Sequence, residues 1–318
     1  MPINNNEIID TSWKMKVSLI NSLIMILGLS LVSCKSEKKD ISKFDESNIL
    51  PAINIIPQVK EVPFDSFNRE EIKINLQNKI LQKQPLIVHV FVPLCDNDNQ
   101  GIVPVSASLG DGQNLKTNLY WGAGYGLKTH FKKTGWKIIS DVIDTSNAVL
   151  ERIIFEKNIT PSARVIVIAD AYAGDEMTLC LEDFFSNLAE TLNDSVKIND
   201  TVFIDLNKAD LVAFTGHNGL MDNGINEKVN KSATPKDAVV IACISHSYFK
   251  ERLNYVNAYP LVTTKSLMAP EAYVISAIIN AWANMEDDRT IFISAASAYS
   301  TYQKCSLNAA KSIFKTGW

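Results

Sequence analysis

A histidine and a cysteine follow two apolar runs at matching points. Leu211–Phe214 leads through Thr215 and Gly216 into His217-Asn218-Gly219, and Ala238–Ala242 runs directly into Cys243-Ile244-Ser245-His246. A histidine can deprotonate a thiol or hold it as a thiolate, and the thiolate attacks acyl carbon. Backbone N–H groups in the Gly216–Gly219 turn can stabilise the resulting oxyanion, which makes Gly216, Asn218 and Gly219 candidate oxyanion or positioning residues. His246 is a second candidate partner for Cys243, although it reads as a surface residue at a helix start. The plain alternative is a cysteine at a strand end that is inert core and a histidine that caps a turn. The nearby Asn218, Asp222 and Asn223 either bind a ligand or simply make turns.

Two reactive residues act together only if the fold brings them together. Short β-branched runs bounded by turn residues read as buried strands, and about twenty residues between the two runs suffice for a crossover between parallel neighbours. Pro85–Val92 and Arg164–Ala169 are further central strands, apolar on both faces, with His89 inside the first as a core residue. Tyr259–Thr263 is the last. Trp136–Ile139 and Val149–Phe155 flank the turn-rich Asp144–Asn147 and read as an edge hairpin, and Thr201–Ile204 as a short strand. Asn68 with Glu71 resembles a capping box for a helix ending near Gln84. Met177, Leu181, Phe184, Phe185, Leu188 and Leu192 form a helical stripe. A helix is also expected over Asn118–Lys132, despite Gly122, Gly124 and Gly126. That glycine run does not follow a strand, so it fails as a dinucleotide fingerprint. The C-terminal part reads as helices over Glu271–Met285, Phe292–Tyr302 and near Phe314, with Gly317 as a stop. The pattern predicts an α/β fold: a doubly wound, mainly parallel sheet with helices on both faces, plus C-terminal helices.

In such sheets ligands bind beyond the carboxyl ends of the strands. Asp96, Asp98, Asp170, Tyr172, Ser245 and Thr264 fall there and are candidate substrate-pocket residues. The loop after the first strand begins Asp96-x-Asp98-x-x-Gly101, but Ala107 stands where a calcium loop needs its bidentate glutamate. Four histidines and no Cys-x-x-Cys pair give no metal site, and no cofactor is expected. A net charge of −4 without a basic stripe gives no reason to expect a nucleic-acid partner.

The N-terminal stretch carries a different signal. Lys14 and Lys16 precede an apolar run from Val17 to Val32 that ends Leu31-Val32-Ser33-Cys34. This resembles the lipobox of a bacterial lipoprotein signal. The resemblance implies a leader over residues 1–33, lipidation of Cys34, a polar tether over 34–60 and an α/β domain over 61–318. It places the protein in the bacterial cell envelope, lipid-anchored to a membrane with its globular part outside the cytoplasm.

The order of strand, His-(x)-Gly, crossover and apolar strand ending Ala-Cys resembles the caspase-like and gingipain-like cysteine peptidases. The resemblance implies a caspase-like fold with His217 as general base and Cys243, preceded by Ala242, as nucleophile, acting on a peptide or other acyl compound. Asp96, Asp98 or Asp170 would then favour a basic side chain beside the scissile bond. Gly219 takes the place of the motif glycine, displaced by the inserted Asn218. The alternative is a non-catalytic lipoprotein that uses the same scaffold to bind a ligand or partner.

Overall fold

The computed structural model describes residues 69–143, 148–198, 203–222, 224–225, 232 and 234–318. In chain order the elements are α1 (Glu70–Leu81), β1 (Leu86–Pro93), α2 (Leu127–Lys133), β2 (Lys137–Ile143), β3 (Val149–Asn158), β4 (Arg164–Tyr172) and α3 (Met177–Leu188). They continue with β5 (Ser195–Lys197), β6 (Phe203–Asp205), β7 (Leu211–Thr215), β8 (Lys236–Ile241), α4 (Ser245–Tyr255), β9 (Ala258–Thr264), α5 (Ala272–Ala283), α6 (Asp288–Gln303), α7 (Leu307–Ile313) and β10 (Phe314–Lys315).

Every residue of β1, β7 and β8 is buried, as strands covered on both sides require. They sit inside an eight-stranded sheet of order β10-β9-β8-β7-β1-β4-β3-β2. The five strands from β4 to β9 across its centre are parallel, and the β2–β3 hairpin and β10 pair antiparallel at the edges. Taken in chain order, the parallel strands lie 2-1-3-4-5. The winding therefore reverses between β1 and β7, and the crevice above that point is the usual ligand position of a doubly wound sheet.

Alternating side chains of β1 feed two cores. Val88, Val90 and Val92 face α1, α2 and the C-terminal helices α5 to α7, around Phe131, Tyr273, Trp282 and Tyr299. Ile87 and Phe91 face α3 and α4, where Phe184, Phe185, Phe214 and Phe249 pack ring against ring at centroid distances of 5.1–6.2 Å. The sheet is doubly wound and mainly parallel, as the apolar runs predict.

The structure departs from the sequence pattern at several points. Residues 118–126 are a series of turns, and only Leu127–Lys133 is helical. A Cβ on Gly122 would collide with the carbonyls of Leu115 and Lys116, and one on Gly126 with the backbone of Trp121. These glycines let the chain fold back on itself, which defeats the helix that the Trp121–Tyr125 spacing suggests. Because the obstacles are backbone atoms, Gly122→Ala is expected to cost about 1–3 kcal/mol in a urea titration, against a few tenths for Gly124→Ala, which has open space around it. Gly317 does not stop a helix: α7 ends at Ile313 and the chain turns into β10 against β9. The strand expected at Thr201–Ile204 appears as β6, outside the main sheet and paired with β5. Asn68, the leader, Cys34 and the tether lie outside the described residues. Among the described residues no helix is long and apolar enough to cross a membrane.

Candidate active site

Thr215 and Ile241 are register partners on the adjacent strands β7 and β8, and His217 and Cys243 each stand two residues beyond them. Neighbouring strands run about 4.8 Å apart, so the two residues leave the same edge of the sheet side by side. The loops are also tied to each other. Gly216 N–H donates to the Ile241 carbonyl (3.2 Å), and the Asn218 side-chain amide donates to the Cys243 carbonyl (2.7 Å). Asn218 Oδ1 accepts from Leu220 N–H (3.2 Å) and caps the 3-10 turn Gly219–Met221. Asn218 is therefore the brace between the histidine turn and the cysteine turn.

His217 is nearly buried, and its Nε2 lies 2.6 Å from Asp222 Oδ2. The same oxygen accepts Gly101 N–H (3.0 Å) from the long loop after β1. Gly101 is required at that approach, because a Cβ there would run into the Asp222 carboxylate. With Nε2 given to Asp222, Nδ1 is the nitrogen left to exchange a proton with a thiol.

Cys243 occupies a strand-to-helix corner. The next residue, Ile244, has φ +51°, left-handed backbone that a β-branched side chain rarely adopts. Two buried hydroxyls lock the corner. Ser245 Oγ donates to the Val240 carbonyl (2.8 Å), and Thr264 Oγ1 donates to the Ala242 carbonyl. The Cys243 sulfur is half-buried and turned toward the backbone of Met268, with both Met268 O and Met268 N at 3.4 Å. It makes no hydrogen bond to His217. Burial pushes the thiol pKa up, and the Met268 N–H only partly opposes this. The resting residue is thus a protonated thiol donating to a carbonyl. Alkylation of Cys243 by iodoacetamide in the unliganded protein is expected to keep accelerating beyond the ordinary thiol range. A plateau near neutral pH would instead reveal a preformed ion pair with histidine.

The remaining candidates separate. Gly216 and Gly219 N–H groups already donate, to the carbonyls of Ile241 and His217, and Gly219 is further required by close packing against Met177. Asp96 is taken up by its own loop, accepting from Asp98 N–H (2.8 Å), Asn99 N–H (3.1 Å) and Asn99 Nδ2 (2.9 Å). Asp98 is exposed. Asp170 is not at a strand end: β4 continues through it to Tyr172, and its carboxylate is fully buried against His89 and Arg152. Tyr172 donates to Asp183 (2.8 Å) and lines a cavity on the α3 face, away from Cys243. Ser245 and Thr264 are fully buried members of the corner described above. His246 bonds Thr263 Oγ1 (3.1 Å); burial, with Lys315, Lys250 and Lys265 nearby, lowers its pKa to about 4.

Two residues of this region escape the sequence reading. Asp222 reads there as a ligand-binding or turn residue and not as the partner of His217, for which the one signal is an acid five positions after the histidine. Tyr120, from the glycine-rich turns, is buried, and the nearby Cys95 and Cys243 add to burial in pushing its hydroxyl pKa up. The four described cysteines are free thiols, and no cluster of ligating side chains suited to a metal occurs among the described residues. No protein-family model matches the chain, and neither a curated protein nor a solved structure is significantly similar to it.

Proposed function

We propose that the chain is a cysteine hydrolase of caspase-like architecture, held at a membrane through lipidated Cys34, with Cys243 as nucleophile, His217 as general base and Asp222 orienting the imidazole. One observation carries the reading: His217 and Cys243 leave adjacent parallel strands at the same level, and the histidine is fixed through Nε2 by a carboxylate. In the reaction the thiol turns from Met268 to His217 and gives its proton to Nδ1. The thiolate adds to the acyl carbon, and the imidazolium protonates the leaving amine as the carbon–nitrogen bond breaks. Water, deprotonated by His217, then hydrolyses the thioester. The substrate is a peptide or another acyl compound.

The test is labelling of the purified full chain by peptidyl chloromethyl ketones carrying basic or neutral side chains next to the reactive carbon. The expected adduct is on Cys243, absent in Cys243→Ala and slower by about 10²–10⁴-fold in His217→Ala. Labelling that survives in Cys243→Ala, or that is undiminished in His217→Ala, rules out the dyad.

A second reading is favoured by the Met268 contact. A thiol held by backbone and raised by burial also suits a non-catalytic protein that uses this edge to bind a partner. That reading gains if the ketones leave Cys243 unmodified while iodoacetamide reaches it.

A further inference from the structure

A cavity of about 540 Å³ lies on the α3 face of the sheet, against the β2–β3–β4 edge and away from Cys243. Small-molecule sites commonly occupy 300–1,000 Å³ and combine apolar walls with a few fixed polar groups. Val142, Val149, Ile154 and Leu179 supply apolar wall. Val142 and Leu179 are 55% and 38% exposed, so part of the apolar wall is open to solvent.

The polar groups are unbalanced. The Arg152 guanidinium at the cavity floor is already spent. Its Nε and Nη2 each lie 2.6 Å from Asp170 oxygens, and its Nη1 and Nη2 reach Asp194 at 3.2 and 2.7 Å. Asp183 on α3 also lines the cavity and is bonded through Oδ2 alone, to the Tyr172 hydroxyl. His89 bonds Asp170 from behind (2.9 Å), and Lys197 sits exposed at the rim. Three carboxylates thus surround one guanidinium, and the one outside its reach faces the space. An anion would have to displace Asp170 or Asp194 from Arg152, or settle for Lys197 at the exposed rim with three carboxylates close by. A bare divalent ion would find single oxygens from scattered elements and no use for the apolar walls.

We infer that this cavity binds a small organic cation, with a primary ammonium or guanidinium seated on Asp183 and an apolar body against Val142, Val149, Ile154 and Leu179. Burial pushes the Asp183 carboxyl up, with the charges of Asp170 and Asp194 adding to it and the Tyr172 hydroxyl and His89 opposing, so a cation relieves a cost that the unliganded protein bears. Arg152 at the cavity floor lies on β3, four strands along the sheet from β8, which leads into Cys243; at about 4.8 Å per strand that is roughly 19 Å, and the site stands or falls independently of the chemistry there.

The test is an NMR titration of the full chain with benzylamine, benzamidine and, as a neutral control of similar shape, benzyl alcohol. Saturable binding of the two cations at one shared site is expected, with benzyl alcohol weaker by about tenfold or more. Asp183→Asn, which keeps an acceptor for Tyr172, should weaken the cations by about the same factor. Leu179→Trp fills the cavity from a half-exposed helix position and should block them even if the first variant folds poorly. Cation binding that is absent, unaffected by both variants, or matched by benzyl alcohol overturns the proposal.

Discussion

Asp222→Asn is expected to slow labelling of Cys243 by a peptidyl chloromethyl ketone by up to about 10⁴-fold, the loss found when the carboxylate behind a catalytic histidine is made neutral. The carboxylate at 2.6 Å accepts a hydrogen bond from Nε2–H, which leaves the Nδ1 lone pair open to the thiol. An asparagine amide can present its N–H to Nε2 instead. The ring then takes the other tautomer, with Nδ1 protonated and unable to accept the thiol proton. The substitution also removes the negative charge that stabilises the imidazolium as the thiolate forms. Asp222→Glu keeps the charge but must find room beside Gly101, so partial rescue is expected. Iodoacetamide, which needs no histidine, should react with Cys243 at similar rates in all three proteins, and this separates loss of positioning from loss of fold. Ketone labelling in Asp222→Asn within about threefold of the parent would remove Asp222 from the mechanism.

The long apolar runs were the legible part of the chain, and physics explains why. A strand buried on both faces has no polar positions to mask its signal, so β1, β4, β7, β8 and β9 stand out, and their spacing leaves a parallel sheet as the simple outcome. His217 and Cys243 could be placed at one edge for the same reason. What failed depends on register or on contacts distant in sequence. Asp170 interrupts an apolar run and so looks like its end; its place inside β4 follows only once the β3–β4 pairing sets Arg152 directly opposite. Asp222 looks like any turn acid until Gly101, from a loop more than a hundred residues earlier, is seen to fix the same oxygen. The turns over 118–126 carry aromatic spacing that suits a helix, and only carbonyls of residues 115, 116 and 121 exclude it. Asn218 looks like damage to a motif because the Cys243 carbonyl that it braces lies on another strand.

Asp170→Ala is expected to destabilise the protein by about 3–5 kcal/mol, because it breaks a buried ion pair from one side. Arg152 on β3 and His89 on β1 both reach this carboxylate, and neither has an equivalent substitute. Arg152 would retain only the half-exposed Asp194. His89 would lose its one hydrogen bond, since its Nδ1 is already buried without a partner. A matching pH dependence follows. Burial alone would raise the Asp170 carboxyl pKa, but Arg152, aided by His89, overrides it and holds the value at about 2. The unfolded chain titrates near an ordinary aspartate value of about 3.9, so protons bind the unfolded state first as the pH falls. The carboxylate therefore contributes stability that is complete above about pH 4 and is lost as the pH drops through about 2, amounting to about 2–3 kcal/mol. Asp170→Asn keeps the shape, forfeits the charged bonds at a cost of about 1.5–3 kcal/mol, and should flatten this part of the acid profile. Urea titrations of the parent and both variants at neutral pH and through the acid range measure each quantity. A variant within about 1 kcal/mol of the parent at neutral pH would show that the Arg152–Asp170–His89 node is dispensable to the sheet. Steep acid destabilisation persisting unchanged in Asp170→Asn would assign the acid sensitivity to other carboxylates.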